Sequence, residues 1–249
     1  MGAKVVSAPA SPRPAWYALE RGGWRDYVTL LHPPYTAWHL SYVVIGGCLA
    51  PEIAWGRLGA VVAAFALAVG IGAHALDELR GRPLRTAIPS STLVALATAS
   101  IGAACAIGVI GALSFRLWLA ALVPIGLVLV LAYYLELLSG RLHSDVWFGL
   151  AWGGFPVICG YAAVAGDIGG VVLIAAAFAV LLSLAQRSLS NRVRLVRRRI
   201  VSITGDIELS DGSRQRIDAG WLIAAEERSL RLLAAASVAL AAGLVVFRI

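Results

Sequence analysis

The feature that most constrains this chain is the recurrence of apolar runs of about 20 residues, each long enough to cross roughly 30 Å of hydrocarbon as a helix. A helix is favoured for such runs because it pairs its own backbone polar groups where no water is available. The sequence predicts seven spans, at about 35–51, 58–79, 92–113, 117–138, 146–165, 168–187 and 229–247. The predicted fold is therefore an all-α polytopic membrane protein.

Cationic residues collect in alternate connections between these spans, although charged residues make up only 14% of the 249 residues. One set of connections contains only Arg57 and Arg116, with Arg248 at the end of the chain. The other set contains Lys4, Arg13, Arg21, Arg25, Arg80, Arg82, Arg85, Arg141 and the cluster from Arg187 to Arg231. Because Lys and Arg concentrate on the cytoplasmic side, we expect a multi-pass protein of the cell (inner) membrane with a cytoplasmic N-terminus and an outer C-terminus.

The formal net charge of +7 follows from the same asymmetry. The excess cationic residues would lie beside the anionic headgroups of the cytoplasmic leaflet. The charge therefore needs no nucleic-acid partner to explain it, and membrane lipids are the expected surroundings. The sequence leaves open whether the chain forms a homo-oligomer or joins a larger membrane complex.

The predicted spans divide the chain into four segments. They are a cytoplasmic N-terminal segment with a short interfacial helix (1–34), a membrane core of six spans (35–187), a basic cytoplasmic segment (188–228) and a C-terminal transmembrane helix (229–249). Residues 201–209 alternate apolar and polar side chains before the turn pair Asp211-Gly212, which predicts a β-hairpin. The preceding run 192–199 is basic and amphipathic, as expected for contact with anionic headgroups or for the mouth of an anion site.

The second span ends in three ionisable residues, His74, Asp77 and Glu78. Their spacing of i, i+3 and i+4 places them on one helical face, so the three side chains could converge. Arginines at helix ends are common as anchors that reach the headgroups, but acids contribute little to topology. The acids are therefore better explained as part of a functional site.

Polar residues also gather where the fourth and sixth spans end. Tyr133 and Glu136 share one face at the end of the fourth span, and both are candidate catalytic residues. The loop that follows and the end of the sixth span add Arg141, His143, Asp145, Arg187, Asn191 and Arg192. His39, within the first span, is a further candidate substrate contact. Ionisable residues thus accumulate on one face of the membrane.

Three stretches of the chain resemble the UbiA-type intramembrane prenyltransferase superfamily. The stretch "HALDELRGRPLRTAIPS" is similar to the family's first aspartate-rich segment, and "AYYLELLSGRLHSD" to its loop after the fourth helix. The stretch "FGLAWGGFPVICGYAA" resembles the fifth helix, with its small residues, proline and closing Gly-Tyr. The resemblance covers roughly residues 30–190. It is specific in the order of the motifs and in their side of the membrane.

The chain departs from the family pattern at several positions. In the family's NDxxD motif, Ala73 and His74 stand in place of the Asn and the first Asp, and Asp77 matches the second acid. The lysine after the fourth helix is replaced by Ser139 or Arg141. No second acidic motif follows the sixth span, and the chain has seven predicted spans where the family usually has nine helices.

The resemblance implies a helical bundle around a cavity that opens to the cytoplasm. In the family, Mg²⁺ held by acidic motifs neutralises the diphosphate of an isoprenoid donor, the allylic C–O bond breaks and an acceptor captures the carbocation. Mg²⁺ prefers carboxylate and phosphate oxygens, and a metal stabilises a departing anion. An apolar tunnel between helices would hold the prenyl chain.

Three hypotheses follow. In the first, the protein is an enzyme acting on an isoprenoid diphosphate or another polyprenyl lipid. Asp77 and Glu78 would bind Mg²⁺ with Glu136 or Asp145, and Tyr133 would join them as a catalytic residue. Because arginine forks match phosphate geometry, phosphate neutralisation would fall to arginines, and the substrate contacts would be His39, Arg82, Arg141, Arg187, Asn191 and Arg192.

The second hypothesis is a carboxylate–histidine site for a transition metal, since that mixture of ligands favours Fe, Mn or Zn. Its ligands would be His74, Asp77, Glu78, Glu136, His143 and Asp145. The third is a non-catalytic lipid-binding or assembly subunit that retains the fold, with its polar residues in a satisfied network. The first two require Asp77 and Glu136 to lie within metal-bridging distance of each other.

Overall fold

The structure is a computed structural model, and it describes residues 13–135, 139 and 141–249. These residues form ten α-helices, two π-helical segments, one 3-10 helix and one hairpin. In chain order they are α1 (Trp24–Leu30), α2 (Pro33–Cys48), α3 (Trp55–Phe65), a π-helical segment (Ala66–Ala73), α4 (His74–Leu79), α5 (Ser90–Ser114), a 3-10 helix (Leu117–Ala121), α6 (Leu122–Tyr134), α7 (Asp145–Phe148), a second π-helical segment (Gly149–Gly154), α8 (Phe155–Ala165), α9 (Gly170–Arg199), β1 (Gly205–Glu208), β2 (Arg214–Ile217) and α10 (Ala219–Arg248).

Six helices of the described chain are long and apolar enough to cross a membrane. They are Trp55–Leu79, Ser90–Ser114, Leu117–Tyr134, Asp145–Ala165, Gly170–Arg199 and Ala219–Arg248. The predicted span 35–51 corresponds to α2, which has only 16 residues and is therefore about 24 Å long at 1.5 Å per residue. The protein is a predominantly helical, multi-pass membrane protein with six such helices in its described part, and the span at 35–51 stays a prediction.

Helix α2 lies inside the bundle and packs closely against α8. A Cβ atom added at Gly46 would overlap the carbonyl group of Val157, and one added at Gly160 would overlap that of Val43. Small residues at such contacts let two backbones approach, as is common between membrane helices. Trp38 and Tyr42 on α2 are almost fully buried, and the Trp38 Nε1–H donates to the Tyr42 hydroxyl at 2.7 Å. This packing fixes the position of the polar N-terminal end of α2.

Two membrane helices change to π-helical geometry for part of their length. The helix Trp55–Leu79 does so at Ala66–Ala73, and the helix Asp145–Ala165 at Gly149–Gly154. Both segments are rich in Gly and Ala ("ALAVGIGA" and "GLAWGG"). π-Helical turns are rare and frequently occur at functional sites. They re-aim the side chains that follow, which here belong to the polar ends of the two helices.

The predicted β-hairpin is confirmed by the antiparallel pairing of β1 with β2. Asp206 lies opposite Arg216 and Glu208 opposite Arg214, so opposite charges face each other across the strands. Gly212 adopts a positive φ of 78° in the turn, a conformation that glycine allows at little cost. The hairpin leads directly into α10.

Candidate functional site

A cavity of about 670 Å³, here called the polar cavity, lies where the polar ends of the helices meet. Seven residues proposed from the sequence line it: His39, His74, Asp77, Tyr133, His143, Arg187 and Asn191. They come from α2, α4, α6, α9 and the loop before α7. Residues separated by more than 100 positions along the chain therefore face one space.

The polar cavity is strongly cationic. Five arginines line it, namely Arg80, Arg187, Arg194, Arg198 and Arg199. Among its described lining residues, Asp77 is the only acid. Guanidinium groups present several N–H donors in a plane that matches phosphate and carboxylate oxygens. The cavity is therefore suited to an anion.

Arg187 is held in place by contacts from two neighbouring helices. Its residue is only 7% exposed, and its Nε donates to Asp145 Oδ1 at 2.9 Å. Its Nη1 donates to the Tyr133 hydroxyl, and its Cζ lies 5.0 Å from the centre of the Phe148 ring. Contacts from α6 and α7 thus fix the guanidinium of α9, which reduces the entropy lost when it binds a ligand.

Histidines line the same cavity in two stacked pairs. The rings of His32 and His74 lie 4.0 Å apart and nearly parallel, and the ring of His143 lies 4.2 Å from that of Tyr133. The His74 Nδ1 lies 3.2 Å from the Gly70 carbonyl oxygen. Because a carbonyl oxygen only accepts, Nδ1 carries the proton when the ring is neutral and Nε2 is left as an acceptor.

His32 stands outside the membrane-spanning helices, in the left-handed conformation (φ 46°) that begins α2. Removal from water lowers the pKa of His32 well below its ordinary value of 6.5, and the neighbouring His74 lowers the pKa further. The ring is therefore neutral at pH 7.

Several buried N–H donors beside the polar cavity have no hydrogen-bond partner in the described part of the chain. They include Arg198 Nε and Trp152 Nε1, and both residues line the cavity, as does Gln186, whose Oε1 is also unpaired. A buried polar group left unpaired costs about 1–3 kcal/mol. Unpaired donors in this position favour a ligand that carries acceptor oxygens.

The structure corrects the expectation that His74, Asp77 and Glu78 converge. His74 and Asp77 line the polar cavity, but Glu78 faces the other way and is completely buried. Its carboxylate accepts hydrogen bonds from the Leu84 N–H at 2.9 Å, and from the Thr86 N–H and hydroxyl at 2.8 Å each. Glu78 therefore holds the loop after α4 and does not face a ligand.

Other residues proposed from the sequence also lie away from the polar cavity. Arg82 donates to the Ile88 carbonyl and the Ser90 hydroxyl at 2.5 and 2.8 Å, and Arg192 pairs with Glu226 at 3.0 Å. Arg141 is exposed and is not among the lining residues. Asp145 is not among the described lining residues and pairs with Arg187, which is one of them. Glu136 lies outside the described residues.

The described residues do not fit a metal centre. Within 13–135, 139 and 141–249, no three His, Cys, Asp or Glu side chains lie close enough together to hold an ion. Asp77 is surrounded by arginines, whose positive charges oppose a cation. Neither a carboxylate site for Mg²⁺ nor a carboxylate–histidine site for Fe, Mn or Zn is therefore formed by these residues.

A second cavity of about 200 Å³, here called the apolar cavity, lies between α3, α5, α6 and α8. Ala, Gly, Val, Leu, Ile and Phe side chains make up most of its wall. Two residues, Val69 and Trp152, line both cavities. Each belongs to one of the two π-helical segments, so the irregular turns form the wall that the cationic space and the hydrocarbon-like space share. This shared wall is here called the junction.

Aromatic rings surround this junction. The Trp152 ring lies 5.9 Å from that of Tyr133, 5.8 Å from that of Tyr134 and 6.4 Å from that of Phe148. The Trp152 carbonyl oxygen lies 2.9 Å from His39 Nδ1, which ties the second π-helical segment to α2. The faces of such rings attract cations.

The sequence did not single out Trp152, Arg194 or Arg198. Arg194 and Arg198 belong to the basic run 192–199, which the sequence did indicate as a possible anion site. Within this run, Arg194 and Arg198 line the polar cavity, whereas Arg197 pairs with Glu227 at 2.5 Å. The π-helical turn that brings Trp152 to the junction has no reliable sequence signature. Its position could be found only from the packing of α8 against α2 and α9.

Comparisons with known proteins do not assign the chain to a family. A scan against protein-family models, a search of curated proteins and a search of solved structures gave no match. The resemblance to UbiA-type prenyltransferases therefore depends on the three motifs quoted above.

Proposed function

We propose that this protein is an integral membrane enzyme that acts on an isoprenoid or related lipid diphosphate. The observation that carries the proposal is the junction of the two cavities at Val69 and Trp152. One cavity is lined by arginines and the other by hydrocarbon side chains. A ligand with a strongly anionic head and an apolar chain matches both.

The headgroup would bind in the polar cavity. Arg187 is already oriented by Asp145 and Tyr133, and the Nε–H of Arg198 lacks a partner in the described structure. Hydrogen bonds to charged groups contribute about 1.5–3 kcal/mol each. Arginines would thus provide the positive charge that the UbiA family obtains from Mg²⁺ and its acidic motifs.

The first carbon of the chain would lie at the junction, among the rings of Tyr133, Tyr134, Phe148 and Trp152. A carbocation formed by loss of the diphosphate is stabilised by ring faces, and arginines stabilise the departing anion. Asp77, as the acid of the polar cavity, would accept a proton from the acceptor. This arrangement supports prenyl transfer or related carbocation chemistry at the cytoplasmic face.

One observation favours a second function, a lipid-binding subunit without catalysis. The described lining of the polar cavity contains a single acid, so it lacks the paired carboxylates of the resembled family. Both functions predict binding of the same ligand. They differ in turnover, because only the enzyme would release inorganic diphosphate when an acceptor is added.

The test is binding of an isoprenoid diphosphate and of the matching alcohol to purified protein. We expect the diphosphate to bind more tightly, and Arg187→Gln or Arg198→Gln to weaken it about 10–100-fold. Arg192→Gln is the matched control, because Arg192 lies on the same helix and pairs with Glu226 away from the cavity. Equal affinity for alcohol and diphosphate would contradict the proposal.

A further inference from the structure

We infer that the apolar cavity limits the length of the hydrocarbon chain, and that Arg57 and Phe115 form the wall at its far end. This inference rests on the proposed function, because it concerns the same ligand. It concerns the length of the hydrocarbon chain, which contacts to the headgroup cannot determine. Arg57 lies near the start of the helix Trp55–Leu79, whereas Asp77 of the polar cavity lies near its end.

Arg57 is an exceptional residue in this wall. It is the one charged side chain among the described residues that line the apolar cavity. Its Cζ lies 3.6 Å from the centre of the Phe115 ring, and its Nη2 donates to the Val164 carbonyl oxygen at 2.7 Å. The guanidinium thus joins α3 to the end of α5 and to α8 at one end of the cavity.

The distance from the junction to this wall follows from helix geometry. Val69 and Arg57 lie on the same continuous helix, about 18 Å apart along its axis. Ala60, Ala64 and Ala68 all line the apolar cavity between them. Their spacing of four residues places them on one face, with a rise of about 6 Å per step. A larger side chain at each of these alanines would therefore narrow the apolar cavity at a different distance from the junction.

The opposite wall includes small residues of α5. Gly108 and Gly111 line the cavity, where Gly108 leaves room for the Val123 side chain and Gly111 is exposed. In the proposed binding mode, a chain that passes the junction would run along this wall towards the stacked pair of Arg57 and Phe115. Chains longer than this distance would have to displace the pair or fold back.

Two sets of variants follow. Arg57→Ala removes the end wall and should admit longer chains. Its matched control is Arg116→Ala, because Arg116 also lies over the Phe115 ring, at 5.7 Å, but is exposed and does not line the cavity. Ala68→Phe, Ala64→Phe and Ala60→Phe should shorten the longest accepted chain, with the strongest shortening at Ala68 and the weakest at Ala60.

The experiment measures binding of isoprenoid diphosphates of increasing chain length to the full-length protein in detergent. We expect Arg57→Ala to bind chains beyond the wild-type limit at least about 10-fold more tightly than wild type, the change produced by about 1.4 kcal/mol. Arg116→Ala should keep the wild-type profile. Affinity for the shortest diphosphate should persist in every variant, which controls for folding.

The outcomes separate this inference from the proposed function. A wild-type protein that binds no isoprenoid diphosphate would overturn both. A wild-type protein that binds them, while Arg57→Ala keeps the wild-type length profile, would overturn the length limit alone. If the phenylalanine variants fail to bind even the shortest diphosphate, the length limit is tested by comparing Arg57→Ala with Arg116→Ala. Both of these substitutions shorten a side chain and so cannot block the cavity.

Discussion

Exchanging the Glu78 carboxylate for an amide should destabilise the fold, whereas the same exchange at its neighbour Asp77 should change ligand binding. In Glu78→Gln, one carboxylate oxygen becomes an NH₂ group that must face either the Leu84 N–H or the donors of Thr86. One charge-assisted hydrogen bond, about 1.5–3 kcal/mol, is lost and a buried N–H is left unpaired at a further cost of about 1–3 kcal/mol. The expected loss is about 3–5 kcal/mol.

The assay is unfolding of purified protein by denaturant or heat, followed by circular dichroism. Asp77→Asn is the matched variant, because no hydrogen bond or ion pair to the Asp77 carboxylate is found in the described structure and its side chain lines the polar cavity. We expect its free energy of unfolding to stay within about 1 kcal/mol of wild type. Wild-type stability in Glu78→Gln, or a larger loss in Asp77→Asn, would refute this division of roles.

Two further predictions concern pH and packing. Because the folded-state pKa of His32 lies well below 6.5, the unfolded chain binds more protons as the pH falls below 6.5. The free energy of unfolding should then fall by up to about 1.4 kcal/mol for each pH unit below 6.5. His32→Asn should flatten this pH dependence when unfolding is measured from pH 7 to pH 5. A slope equal to that of wild type would contradict the prediction. Gly160→Val should prevent close contact of α8 with α2 and lower the thermal midpoint, whereas Gly59→Val, at an open position, should not.

The membrane-helix architecture could be predicted from hydropathy alone, because the cost of exposing backbone groups to lipid leaves few alternatives. Hydropathy alone does not decide the role of α2, whose apolar composition fits a buried helix as well as a spanning one. Its close contact with α8 through Gly46 and Gly160 depends on the fold. The hairpin could also be predicted, since Asp211-Gly212 determines a local turn.

The site could be predicted only in part. Helical spacing suggested that His74, Asp77 and Glu78 share a face, but Glu78 turns to the loop because Leu84 and Thr86 supply donors there. Positive φ angles at Arg82 and Arg85 fold this loop back, and the sequence gives little sign of them. The residues that line the polar cavity come from distant segments, so their meeting depends on how the helices pack.

The junction of the cavities could not be predicted from the sequence either. Val69 and Trp152 occupy π-helical segments, whose extra residue per turn depends on neighbouring contacts. A sequence read with a uniform helical period assigns these residues to the wrong faces. Gly- and Ala-rich stretches such as "GLAWGG" allow this geometry without specifying it.

The most direct test of a lipid-diphosphate site is to purify the protein without added ligand and to identify its bound lipids by mass spectrometry. The two-cavity site predicts a single-chain lipid with a phosphate or diphosphate head, retained by Arg192→Gln and depleted at least about 10-fold in Arg187→Gln. Recovery of only bulk membrane phospholipids, in the same amounts from wild type and Arg187→Gln, would contradict it.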